Sequence, residues 1–157
     1  MHTCASLLAS YTEAINALDK GIEVLAQATP PKELQRLPSV GPMTAMILVH
    51  ELGDVRRFKN AHSVASYAGL VPRVNQSADK ANHGHLTKRG NRELRHILGE
   101  WAVRLLATNE LAAEWAKDRL KRSHKNKVRI ALARRLLIGV YKMLLTGEVF
   151  SLERCLV

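Results

Sequence analysis

Leu37-Pro38-Ser39-Val40-Gly41-Pro42-Met43-Thr44-Ala45 opens an apolar run that continues to Leu52 and stops at Gly53. Proline inside a helix removes a hydrogen bond and clashes with the preceding turn. At the first helical position neither defect matters, so Pro42 marks a helix start and Gly53 its stop. The segment predicts a short helix, a tight turn at Pro38–Pro42 and a second helix to Leu52.

Upstream, Cys4, Leu8, Tyr11, Ile15, Leu18, Ile22 and Leu25 recur at steps of four and three. That is the period of a coiled-coil seam, and it predicts one long helix over residues 3–28, about 40 Å in length. Glu13, Asn16, Asp19, Lys20 and Glu23 fall off the seam. Two partners fit the stripe: a second copy, giving a homodimer or higher oligomer, or the body of the same chain. Ala28-Thr29-Pro30-Pro31 ends the helix, because a residue before proline resists the α region.

Downstream, Asn60 can cap a short helix through Tyr67, with Gly69 as its stop. Residues 70–86 lack a helical period and are rich in Asn, Gln, Asp, His and Gly. They predict a long polar loop, and such loops in compact domains are often functional. Thr87–Thr108 predicts a helix with Leu94, Ile97, Leu98, Trp101, Leu105 and Leu106 facing inward. Glu110–Arg122 and Lys125–Leu145 predict two more. With no strand pattern and no repeat, the expected fold is all-α. It divides into a coiled-coil helix (1–30), a helical domain with a helix-hairpin-helix-like turn (31–150) and a tail (151–157).

Composition agrees. The chain has 157 residues, one domain's worth with room for a real core. It is 46% hydrophobic but only 4% aromatic, so the core is aliphatic and favours helices. The net charge of +10 is uneven: residues 1–54 carry three Lys and Arg against six acidic side chains, residues 80–147 sixteen against five. A basic back half points to a polyanionic partner, nucleic acid first, with a solubilising surface as the alternative. Cys4 and Cys155 lie at opposite ends without metal-type spacing and read as reduced thiols of a cytoplasmic protein. No apolar run reaches the ~18 residues of a membrane span, and no signal peptide opens the chain.

The turn Pro38–Pro42 resembles the helix-hairpin-helix DNA-binding turn, normally Gly-hydrophobic-Gly, with Ser39 in place of the first glycine. Such a turn aims backbone N–H groups and a helix N-terminus at a phosphate, which makes Ser39, Val40, Gly41 and Thr44 candidate backbone contacts. A plain core joint between helices would look similar. In the polar loop, Ser77 is the candidate nucleophile. A serine hydroxyl needs a base or cations to assist it, and Arg73, Lys80, Lys88 and Arg89 are near in sequence to hold a phosphodiester. Loop serines commonly only hydrogen-bond locally, so the residues alone leave both roles open. Gln76, Asn91, Arg92 and Arg95 complete the candidate nucleic-acid contacts. His83-Gly84-His85 lacks a third ligand at sensible spacing and reads as loop, not as a metal site. Trp101 and Trp115 read as core. The basic bend from Lys117 to Lys127 suits backbone contacts or a solvated corner equally.

A family resemblance runs from about Leu34 to Leu145. It is carried by Leu37–Pro42 with Glu51-Leu52-Gly53-Asp54, Phe58, Ser66-Tyr67-Ala68-Gly69-Leu70-Val71-Pro72, Gln76-Ser77 and Thr87-Lys88-Arg89-Gly90-Asn91 with Leu94-Arg95. In this order they resemble the C-terminal domain of the DEDD-type insertion-sequence transposases, the group that includes Piv-like DNA invertases. The heptad helix resembles the coiled coil that precedes that domain. The resemblance implies a DNA recombinase whose RuvC-like N-terminal domain holds divalent metal on four acidic residues. Its C-terminal domain contributes a serine that attacks DNA, and some members are guided by a structured RNA. That serine falls on Ser77, followed here by Ala78 where glycine is usual. No strand-rich acidic core is present, and Asp54 and Asp79 read as a helix stop and a loop residue. The expectation is a truncated product, fragment or remnant that takes no cofactor itself, binds nucleic acid, and does not complete strand transfer alone. The rival expectations are a helix-hairpin-helix module without chemistry and a helical scaffold whose charge serves solubility.

Overall fold

A computed structural model describes residues 4–28, 34, 36–77, 80–86 and 89–157, the side chains of 26–28, 72–77 and 80–86 excepted. The architecture is all-α with one two-stranded ribbon. Helix α1 spans Cys4–Ala28, α2 Pro42–Leu52 and α3 Ala61–Tyr67; after the ribbon come α4 (Arg92–Thr108), α5 (Glu110–Leu120), α6 (Lys125–Thr146) and α7 (Leu152–Leu156). A single 3-10 turn, Val55–Arg57, links α2 to α3.

The core sits between α4 and α6 and is closed by α2, α3 and α5. Leu94, Leu98, Trp101 and Leu105 from α4 meet Leu132, Leu136, Leu137 and Val140 from α6, all fully buried. Leu48 and Leu52 of α2 and Val64 of α3 complete the cluster. Each such side chain contributes roughly 1.5–3 kcal/mol on leaving water, so this aliphatic contact supplies most of the stability. Polar ties set the register: Trp101 Nε1 donates to the Pro38 carbonyl at 2.8 Å, fixing the turn before α2 on α4. Tyr141 Oη donates to the Phe58 carbonyl at 3.2 Å.

Three sequence expectations change. The predicted polar loop holds an antiparallel ribbon, β1 (Pro72–Ser77) and β2 (Lys80–Leu86), with Ser77 opposite Lys80 and an irregularity between Pro72 and Val74. Its polar side chains hide the alternation by which a half-buried strand is recognised. Helix α4 starts at Arg92 rather than Thr87, because Gly90 at φ +127° lies outside helical space and Asn91 caps the helix. Residues 151–157 are not a plain tail: Leu152 and Leu156 of α7 pack against the core beside α6.

Helix α1 leaves its stripe open. Leu8 and Leu18 are each 67% exposed, and Tyr11, Ile15 and Leu25 are exposed too. Helix α1 also contacts α2 of the same chain, and Ile22 of the seam is half-buried.

The ends of the ribbon meet at two glycines. Gly69 (φ +68°) follows α3 and Gly90 (φ +127°) precedes α4. A Cβ on Gly69 would stand 2.7 Å from the Arg89 carbonyl oxygen, and one on Gly90 2.6 Å from that of Tyr67. The Asn91 N–H donates to the Tyr67 carbonyl at 2.7 Å, closing the crossing. Gly69→Ala is therefore expected to cost about 2 kcal/mol or more, from the positive φ and the backbone clash. Gly21→Ala, in α1 with open space around it, should stabilise its helix by up to ~1 kcal/mol. Denaturant unfolding of both variants checks this; equal, mild effects would mean that the crossing is not tight.

Candidate nucleic-acid interface

The turn before α2 adopts the geometry that glycine usually supplies. Ser39 has φ +60°, and no other non-glycine residue among those described has positive φ. This explains why glycine is usual where Ser39 stands, since the left-handed region costs other residues roughly 1–2 kcal/mol. The Ser39 hydroxyl lies 2.7 Å from that of Thr108 at the end of α4. Gly41 is the N-cap of α2 without any side-chain cap, and Pro42 follows at N1. Val40 and Gly41 are half-buried beside this helix start. Thr44 is a correction: it is 7% exposed and turned into the core, because it falls on the inner face with Ala45 and Leu48.

The ribbon places its candidates by backbone alone. Ser77 ends β1 opposite Lys80 across a two-residue turn, Gln76 pairs with Ala81, and Arg73 sits at the irregularity. Lys88 and Asp79 lie outside the described residues, and the side chains of His83 and His85 are not described.

At the root of the ribbon, Asn91 is a second correction. Its Oδ1 caps α4 by accepting from Leu94 N at 2.9 Å. Its Nδ2 donates to Glu51 Oε2 and reaches Tyr67 Oη at 3.4 Å. Both ends of the amide are engaged within the chain, so Asn91 builds the start of α4. The Tyr67 phenol is held below its ordinary pKa by the Asn91 amide first and by Arg57 next, against burial and the Glu51 charge. Arg57 lies over the rings of Phe58 and Tyr67 at 4.6 and 4.7 Å.

Arg92 and Arg89 are exposed at this same end, and Arg95 is half-buried with Nη1 donating to the Ala68 carbonyl at 3.3 Å. Arg92 and Arg95 border a cavity of about 400 Å³ that also takes in His96, Asn126 and Arg129. His96, Asn126 and Arg129 are not among the sequence candidates; Arg129 lies more than thirty positions from Arg95 and meets it through the packing of α6 on α4. The mid-helix glycine Gly99 was a signal, since glycine there often marks a close approach. Three of the five carboxylates between residues 80 and 147 are paired already, Glu100 with Arg129, Glu114 with Lys117 and Asp118 with Lys121. All three pairs are partly or largely exposed and worth at most ~1 kcal/mol; the surplus of cations stays outward. Trp115 is half-buried, with Arg119 4.1 Å from its ring. Among the described residues no group of three His, Cys, Asp or Glu could hold a metal ion, and Asp54 is occupied in accepting from Arg56 N. No described helix is long and apolar enough to cross a membrane.

A family model described as the transposase IS116/IS110/IS902 family matches residues 32–119, from the segment before the turn, through the ribbon and its glycine crossing, to α5. The chain belongs to this family. It is 32% identical over 131 residues to the transposase for insertion sequence element IS1328 of Yersinia enterocolitica, covering 81% of this chain and 39% of that protein. The transposase for insertion sequence element IS1111A of Coxiella burnetii is 28% identical over 148 residues, covering 91% and 41%. The pilin gene-inverting protein of Moraxella bovis is 30% identical over 149 residues, covering 90% and 46%. The chain thus spans less than half the length of these relatives.

If Asn91 is structural, Asn91→Ala should cost about 1–3 kcal/mol, from the lost cap and the unpaired Glu51 side. Asn91→Asp keeps a good cap but sets a carboxylate against Glu51. Like charges raise both folded pKa values, so its stability should be highest near pH 4 and lower at about pH 7. The loss accrues as pH rises from the ordinary carboxylate range through the raised folded values. Unfolding curves at the two pH values check both; a harmless Asn91→Ala would contradict the assignment.

Proposed function

We propose that this chain is the nucleic-acid-binding, serine-bearing C-terminal domain of a DEDD-type transposase and serves DNA transposition or recombination. The observation that carries the reading is that the family match includes both the Ser77 ribbon and the basic start of α4. In this reading Ser77 Oγ attacks a DNA phosphorus. A serine–phosphate ester forms, the bond to the departing strand's oxygen breaks, and the serine proton leaves to a base while the departing oxygen takes one up. Arg73, Lys80, Lys88, Arg89, Arg92 and Arg95 neutralise the phosphates, and the Ser39–Gly41 turn docks backbone. In this reading the acidic, metal-holding core is supplied by a RuvC-like domain. DNA is the partner, with a structured guide RNA as a second polyanion.

The exposed α1 stripe then serves self-association. Charged residues at Ile15 and Leu18 should convert an oligomer to monomers in sedimentation; a monomeric parent chain would end that part of the proposal.

The chemical claim is tested by trapping. With a RuvC-like partner domain and DNA supplied, a covalent protein–DNA adduct should form and vanish in Ser77→Ala. An adduct that persists in Ser77→Ala removes Ser77 as nucleophile and leaves a binding module.

A further inference from the structure

Arg129 of α6 crosses α4 at a point where α4 has no side chain. A Cβ on Gly99 would stand 2.9 Å from Arg129 Nη2. Glycine in a helix interior costs roughly 0.5–1 kcal/mol relative to alanine, and here it lets a guanidinium lie flat on the helix. Arg129 Nε donates to the Gly99 carbonyl at 3.1 Å, and Nη2 to Glu100 Oε1 at 3.0 Å. The arginine is thereby fixed before any ligand arrives, with its conformational cost already met by the fold.

Across the cavity, Arg95 is fixed in the same manner by the Ala68 carbonyl. Arg92 and His96 stand on the α4 side, and Leu70 and Ile130 add apolar wall. No carboxylate lines the space among the described residues, although Glu100 holds the far side of Arg129. Two anchored guanidiniums and one exposed one, set around about 400 Å³ with an apolar wall, suit a phosphate with its sugar. Planar guanidinium forks match phosphate oxygens, and the volume falls within the usual range for ligand sites. Leu70 also stands two residues before β1, so a strand held here passes the root of the Ser77 ribbon.

We propose that this groove between α4 and α6 seats one phosphodiester unit of a nucleic-acid strand, gripped by Arg92, Arg95 and Arg129. The proposal rests on the nucleic-acid-binding reading above and adds the place where a strand is held. The shared chemistry is the phosphodiester, carried by DNA or RNA.

The test measures binding of the full chain to a short DNA duplex, a single-stranded oligothymidine and an RNA hairpin across a salt series. Each lost phosphate contact lowers the log–log slope by roughly 0.9 for duplex DNA and 0.7 for single strands. Arg92→Gln and Arg129→Gln should each show that loss and weaken binding about tenfold near 0.1 M salt. Gly99→Ala keeps every charge but displaces Arg129, and should weaken binding severalfold. Lys142→Gln removes the same charge about 20 Å further along α6 and should change affinity within about twofold. The nucleic acid with the largest loss is the strand the groove holds. Equal losses in Arg92→Gln, Arg129→Gln and Lys142→Gln would overturn the groove while leaving nucleic-acid binding intact. No binding by the parent chain to any of the three at low salt would overturn both. Melting curves verify folding; should Arg129→Gln or Gly99→Ala unfold, the exposed Arg92→Gln against Lys142→Gln decides.

Discussion

The structure depends on one backbone crossing, where Gly69 and Gly90 lie against each other's neighbouring carbonyls. Neither position tolerates a Cβ, and both take positive φ. The crossing holds together the chain leaving α3 and the chain entering α4, so both strands of the ribbon start from a fixed point. It also sets where Asn91 can cap α4 and where Arg95 can reach Ala68. The ribbon's strands are six and seven residues long, and four residues in each are polar. Its placement comes from the root, and the root is held by the fully buried α4–α6 core.

The charge distribution follows the same division. The apolar faces of α4 and α6 are consumed by each other, which leaves their arginines at the periphery and near the ribbon's root. Three of the five carboxylates nearby are spent on single exposed pairs, too weak to be architectural and too few to cancel the cations. A surface of this kind attracts polyanions over a Debye length of about 8–10 Å. Only where guanidiniums are anchored by backbone carbonyls, as at Arg95 and Arg129, does attraction become positional. That difference separates a sticky surface from a site.

Much of the fold was legible in sequence because helices announce themselves through caps and periodicity. Pro42, Gly53, Asn60 and Gly69 marked their boundaries where the structure has them. The ribbon was not legible, since Arg73, Asn75, Gln76, Lys80 and Asn82 give no apolar alternation. The sequence predicts α4 from Thr87, five residues before its start at Arg92, and only the crossing shows that Gly90 must be non-helical. Among the site candidates, Thr44 and Asn91 matched a motif, and a motif does not say whether a residue contacts ligand or supports the residues that do. Arg129 was missed for the opposite reason: its role comes from a contact between helices distant in sequence. Ser77 is carried by the family resemblance, and the ribbon's register adds its position at the end of β1.

Amide hydrogen exchange of the whole chain, with and without a short DNA duplex at low salt, tests the central claim most directly. Exchange should slow in the turn before α2 (residues 37–43), in the first turns of α4 and in the first turns of α6. Exchange in α1 should not change on adding DNA. Protection confined to α1, or none in those three segments when DNA is bound, would contradict the account.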